Sequence, residues 1–168
     1  MSTVTPEMIE QVVQAVQKGD RYRFIDPGLV RSLAAAEIAR GQSRKEAVKA
    51  VRSKLHQVGG AYLDAPIPAA RWIAELAQLS AGLGDPGLMD FCRAAMRRHS
   101  STRERLPILP QIFEVMLRPL GRIRSILDLA CGLNPLAQPW MPVSPETVYH
   151  ACDIYSDLLD VVSAFNRH

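Results

Sequence analysis

The run Ser125-Ile126-Leu127-Asp128-Leu129-Ala130-Cys131-Gly132-Leu133-Asn134-Pro135-Leu136 limits what this chain can fold into more than any other stretch. An apolar run that breaks on an acid and then a glycine is the pattern of a buried parallel strand handing its loop to a ligand. Ile126, Leu127 and Leu129 predict a strand covered on both faces, and Gly132 lets the backbone approach a bound group with no Cβ in the way. A second apolar run, Val148 to Cys152, also ends on an acid, Asp153. Small molecules bind outside the carboxyl ends of the strands in open α/β sheets, and a carboxylate there can accept both hydroxyl hydrogens of a nucleoside sugar.

The phosphate-cradling fingerprint needs three spaced glycines, whereas Gly132 is followed by Leu133, Asn134 and Pro135. A cofactor without a pyrophosphate therefore fits better, S-adenosylmethionine being the common one; the alternative is an ordinary buried strand followed by a turn.

With 168 residues, 48% of them apolar and 22% charged, the chain can bury a core as one ordinary domain or two small ones. Cys92, Cys131 and Cys152 are odd in number and form no CxxC pair, which argues against a disulfide framework and a zinc site and predicts a reducing, cytoplasmic setting. All three are expected to be thiols, Cys131 and Cys152 buried. No stretch reads as a signal peptide or a membrane span.

Taken in order, Thr5-Pro6-Glu7 opens a helix with Val12, Val13 and Val16 on one face, ending at Gly19. Asp26-Pro27 opens a second that stops at Gly41, and Ser43 with Glu46 forms a capping box for a third reaching Gly59-Gly60. The three should pack as a small bundle. Further helices are predicted from Pro66, with Trp72 as core, and from Asp85-Pro86 through Leu88, Phe91 and Met96. Ser101 and Glu104 read as a second capping box. Downstream, Pro107 and Pro110 either start the next helix or kink it, and four prolines between the two strands predict a short helix there. Ser156-Asp157 caps a last helix through Phe165.

Between Lys18 and Gly60 stand ten lysines and arginines against four acids, a net +6. That local excess is the footprint of a surface lying on phosphates, or else an ordinary solvated helix face; the remainder of the chain is net acidic.

Three separated segments carry a resemblance: Leu127-Asp128-Leu129-Ala130-Cys131-Gly132-Leu133-Asn134-Pro135-Leu136-Ala137, Lys54-Leu55-His56 with Gly60-Ala61-Tyr62, and His99-Ser100-Ser101-Thr102-Arg103-Glu104-Arg105-Leu106. In their order along the chain they resemble the aminoglycoside-resistance methyltransferases that act on guanine N7 of 16S ribosomal RNA. The resemblance implies an α/β fold in which an N-terminal helical, basic, rRNA-docking domain over residues 1–100 precedes the first βαβα part of a Rossmann-like class I methyltransferase sheet over residues 101–168. It implies S-adenosylmethionine as cofactor, with Tyr62, His99, Ser100, Ser101 and Arg105 around the methionine moiety, Ala130 and Gly132 as the close-approach loop, and Asp153 on the ribose. It further implies a cytoplasmic monomer that docks on 16S rRNA within the assembled 30S subunit through basic residues, here assigned to Arg21, Arg23, Arg44, Lys45, Lys49 and Arg52. His56 and His150 are expected to pack or lie at the surface rather than to bind ligands. Neither a catalytic base nor a metal is called for.

The methyltransferase fold uses about seven strands and this chain predicts two, so it reads as the N-terminal part of such an enzyme, inactive alone. The other reading is a catalytically silent RNA-binding helical module with a vestigial nucleotide loop.

Overall fold

A computed structural model describes residues 5–60, 66–80 and 82–168. The expected elements form close to the expected places. Helix α1 is Pro6–Gln17, its first turn held by the Thr5 hydroxyl accepting from the Met8 N–H at 3.3 Å. Helix α2 is Pro27–Ala39, where Asp26 accepts from Leu29 N–H at 2.7 Å, and α3 is Arg44–Leu55, whose Ser43/Glu46 capping box has both reciprocal bonds. Val12, Val16, Val30, Ala34, Ala47 and Val51 are wholly buried where the three helices meet. The chain then makes a π-helical turn over His56–Gly60, where a Cβ on Gly59 would lie 2.8 Å from the Tyr155 ring. Only a glycine admits that approach.

Next come α4 (Ala69–Leu76), α5 (Pro86–Met96), α6 (Ser100–Arg105) and α7 (Leu109–Leu117). Trp72 is buried, edge-on to Phe91 with 6.1 Å between ring centroids. Pro107 falls in a 3-10 turn, Leu106–Ile108, and Pro110 in the first turn of α7, where its missing N–H removes no helical bond. Strands β1 (Ser125–Leu129) and β2 (Val148–Cys152) pair in parallel, with Asp128 opposite Ala151 and Leu129 opposite Cys152. The prolines between them reduce the crossover to a 3-10 helix, Asn134–Trp140. Helix α8 is Ser156–Phe165.

The described residues divide into two compact units, α1 to α3 with Ile154–Ser156, and Ile67–Asp153 with Asp157–His168. The division falls at Pro66, and α5 packs on the segment after β1. There the Arg93 guanidinium lies 4.9 Å above the Trp140 ring.

Three expectations are corrected. Burial alternates along β1, leaving Leu127 63% and Leu129 69% exposed, so the strand is covered on one face only among the described residues. Cys152 lies on the same open face and is exposed rather than buried. The second capping box does not form, because the helix begins two residues too early for it. His99 occupies the cap position without a side-chain cap bond, and the Ser101 hydroxyl lies instead 2.9 Å from His99 Nδ1.

Candidate functional site

The loop after β1 continues the ladder for one step, the Cys131 N–H donating to the Cys152 carbonyl at 3.0 Å. It then turns through two left-handed residues, Ala130 at φ 52° and Gly132 at φ 51°. At that bend the Gly132 N–H donates to Asp153 Oδ2 at 2.8 Å, joining the carboxyl ends of the two strands. A Cβ on Gly132 would lie 2.8 Å from His99 Nε2, so the buried imidazole fills the space that a side chain would take. The close-approach bend, the acid and the start of α6 are therefore one cluster.

Helix α6 is fastened from behind by Thr102, buried, whose hydroxyl donates to the Met96 carbonyl at 2.7 Å and the His99 carbonyl at 3.1 Å. On its other side Arg105 donates through Nε to the Ser101 carbonyl at 2.9 Å and through Nη1 to Asn134 Oδ1 at 3.1 Å. Asn134 Nδ2 donates to Asp128 Oδ2 at 2.7 Å, and the Tyr149 hydroxyl donates to the same oxygen at 2.5 Å. A carboxylate only accepts and a guanidinium only donates, so the amide of Asn134 has one orientation that serves both. Burial, followed by the Asp128 carboxylate, pushes the Tyr149 hydroxyl pKa far above its ordinary value and keeps it a donor.

His99, Ser101, Arg105, Ala130, Gly132 and Asp153 thus gather at the strand ends, with Ser100 half-buried in the first turn of α6. Tyr62 lies outside the described residues. Asp128, Asn134 and Tyr149 were not among the predicted site residues. An acid interrupting the apolar run was the available signal for Asp128. Tyr149 is brought to it only by strand register, since Ile126 and Asp128 share a face with their partners Tyr149 and Ala151.

Of the basic residues, Arg44, Lys45 and Lys49 are exposed on α3. Arg21 is exposed and donates to His56 Nδ1 at 3.2 Å, and Arg23 pairs with Asp20. Arg52 is half-buried and bonded within the fold. Its Nη2 donates to the Ala15 carbonyl at 2.6 Å at the end of α1, and its guanidinium lies 5.8 Å from the Tyr22 ring centroid. No helix is long and apolar enough to cross a membrane, and no His/Cys/Asp/Glu cluster suits a metal, among the described residues.

A glycine bend and an acid joined at the carboxyl ends of two parallel strands mark an α/β protein. The ribosomal RNA methyltransferase (FmrO) family model matches residues 18–167, and the chain belongs to that family. It is 43% identical to a 16S rRNA (guanine(1405)-N(7))-methyltransferase of Micromonospora echinospora, over 98% of this chain and 61% of that protein. Among solved structures it resembles the 16S rRNA methylase RmtB, with a TM-score of 0.73 and 30% identity over 97% of this chain and 61% of that one. It also resembles the 16S rRNA methyltransferase RmtF in complex with S-adenosyl-L-homocysteine, with a TM-score of 0.71 and 30% identity over 98% and 60%. The chain thus spans about three-fifths of the length of these relatives.

Proposed function

We propose that this chain supplies the cofactor loop and an RNA-docking surface of an enzyme that transfers a methyl group from S-adenosylmethionine to N7 of a guanine in the decoding region of 16S rRNA within the 30S subunit, giving aminoglycoside resistance. In this reading β1, its crossover, β2 and α8 are the first part of a Rossmann-like class I sheet, and the basic helices α1 to α3 lie on the RNA. The enzyme works in the cytoplasm, where the subunit is assembled.

The observation that carries the reading is the Gly132 to Asp153 hydrogen bond beside His99. A left-handed bend whose Cβ space is filled by a buried imidazole brings bare backbone to the strand ends, and the bend's own N–H orients the acid there. These residues fit a nucleoside ligand. Asp153 accepts from the ribose, Ala130 and Gly132 allow close approach, and Arg105 pairs with the methionine carboxylate in a bidentate bond. His99, Ser100 and Ser101 line the same end, and the family resemblance adds Tyr62.

When bound, the sulfonium of S-adenosylmethionine supplies an already activated methyl group. Guanine N7 carries a free lone pair at neutral pH, so no protein group has to remove a proton. The residues here work by holding the donor in line and excluding water, which is where most of the rate for such a displacement arises. The target base has to leave its stack to reach the methyl group.

Calorimetric titration of the full chain with S-adenosylhomocysteine tests this. Binding that Asp153→Ala weakens about tenfold or more, the loss of a charge-assisted hydrogen bond, is the expected result. No heat of binding, together with salt-sensitive capture of 30S subunits, would mark the chain as a silent RNA-binding module instead.

A further inference from the structure

The acidic balance outside the N-terminal helices conceals a second basic patch. The whole chain carries +3 and residues 18–60 carry +6, which leaves −3 for the rest. Within that rest, residues 93–105 hold Arg93, Arg97, Arg98, Arg103 and Arg105 against the single acid Glu104, a net +4.

Helices α5 and α6 fold part of this run into a groove. Arg93 and Arg97 stand one turn apart at the end of α5, and with Arg103 of α6 they surround an open cleft of about 530 Å³ whose apolar lining is Leu106 and Pro107. Arg93 is anchored, stacked on Trp140 and paired through Nη1 with the exposed Asp90 at 3.3 Å. Arg97 is exposed, and no hydrogen bond or ion pair engages its guanidinium among the described residues. Arg103 is exposed as well, and like Arg93 it also interacts within the fold. Three guanidinium groups around one cleft concentrate positive potential there, which draws an anion. Guanidinium groups match phosphate oxygens in bidentate pairs, and the strip of Leu106 and Pro107 suits the apolar edge of a sugar.

We propose that this groove binds a phosphodiester stretch of the ribosomal RNA, as a contact distinct from the one made by α1 to α3. None of Arg93, Arg97 and Arg103 belongs to the cofactor cluster, whose arginine, Arg105, is turned toward Asn134. The inference rests on the RNA substrate proposed above.

Binding of the full chain to 30S subunits, measured as a function of salt, tests it. Replacing Arg97→Gln and Arg103→Gln together is expected to lower the slope of log affinity against log salt by about 1.4 to 1.8, two phosphate contacts' worth. The affinity for S-adenosylhomocysteine should stay unchanged. Arg97→Gln alone gives about half that drop, and it serves if the double variant folds poorly. An unchanged slope with tight subunit binding overturns the groove and leaves the proposed function standing. Failure of the wild-type chain to bind the subunit, while it still binds S-adenosylhomocysteine, overturns the groove and the docking surface together. Failure to bind S-adenosylhomocysteine falls on the proposed function alone.

Discussion

Arg105 donates to Asn134 across 3.1 Å, which ties the guanidinium on α6 to the loop that leaves β1. Asn134 is itself fixed by Asp128, and Asp128 by Tyr149, so the direction in which Arg105 points is set by residues of the sheet. Asn134→Ala should therefore let Arg105 swing without touching the nucleoside end of the site. The affinity for S-adenosylhomocysteine is expected to fall about tenfold, while that for methylthioadenosine, which lacks the amino-acid carboxylate, should stay constant. Calorimetry with both ligands reads the difference, and equal losses would place the effect in the loop rather than in Arg105.

At Gly132 the backbone and the neighbouring ring both exclude a side chain. Gly132→Ala puts a methyl group 2.8 Å from His99 Nε2 at a φ of 51°, a conformation costing of order 1–3 kcal/mol. The denaturant midpoint should drop, and binding of S-adenosylhomocysteine should be lost even at temperatures where the variant is folded.

Glu37 of α2 is buried beneath Arg40 and Lys54. The hydrogen bond from Lys54 first, and the two positive charges besides, hold its carboxyl pKa below the ordinary value against the opposing effect of burial. A lowered folded-state pKa gives stability that is present above the unfolded carboxylate pKa and lost as pH falls through the folded one. Melting temperatures of the wild type and Glu37→Gln should thus lie apart at neutral pH and converge in acid. Parallel curves down to pH ~3, below the ordinary carboxylate range, would contradict the pairing.

Arg52 separates structure from docking among the basic residues. Because it satisfies carbonyls at the end of α1, Arg52→Ala should cost about 1–3 kcal/mol of stability. Lys49→Ala, on an exposed helix face, should leave the melting temperature unchanged and weaken binding to the 30S subunit. Thermal melts beside a subunit binding assay tell the two roles apart.

The cysteines differ in the same manner. Burial pushes the thiols of Cys92 and Cys131 up to about 12, whereas Cys152 lies exposed on the open face of the sheet. Brief treatment with iodoacetamide at pH ~8 should label Cys152 alone, as read by mass spectrometry of the digest. Labelling of Cys131 at a comparable rate would mean that the bend opens.

Local chemistry made most elements legible in the chain itself. Thr5, Asp26, Ser43 and Asp85 each cap a helix where they stand, because a short side-chain acceptor serves an N–H only three residues away. The same reasoning failed at Ser101, where a histidine close by in sequence competed for the hydroxyl. The bond from Arg52 to the Ala15 carbonyl was not legible either, because a positive charge reads alike whether it faces solvent or closes a distant helix end.

The order of elements, the strand ends and the acid at Asp153 were written into the sequence by itself, since apolar periodicity and capping act over a few residues. The tertiary structure alone decided which side chains meet. Strand register laid Tyr149 near Asp128, the packing of α6 put His99 against Gly132, and α5 with α6 drew arginines ten residues apart into one groove. Those encounters depend on how separate elements stack, and the spacing of residues along the chain carries no record of that.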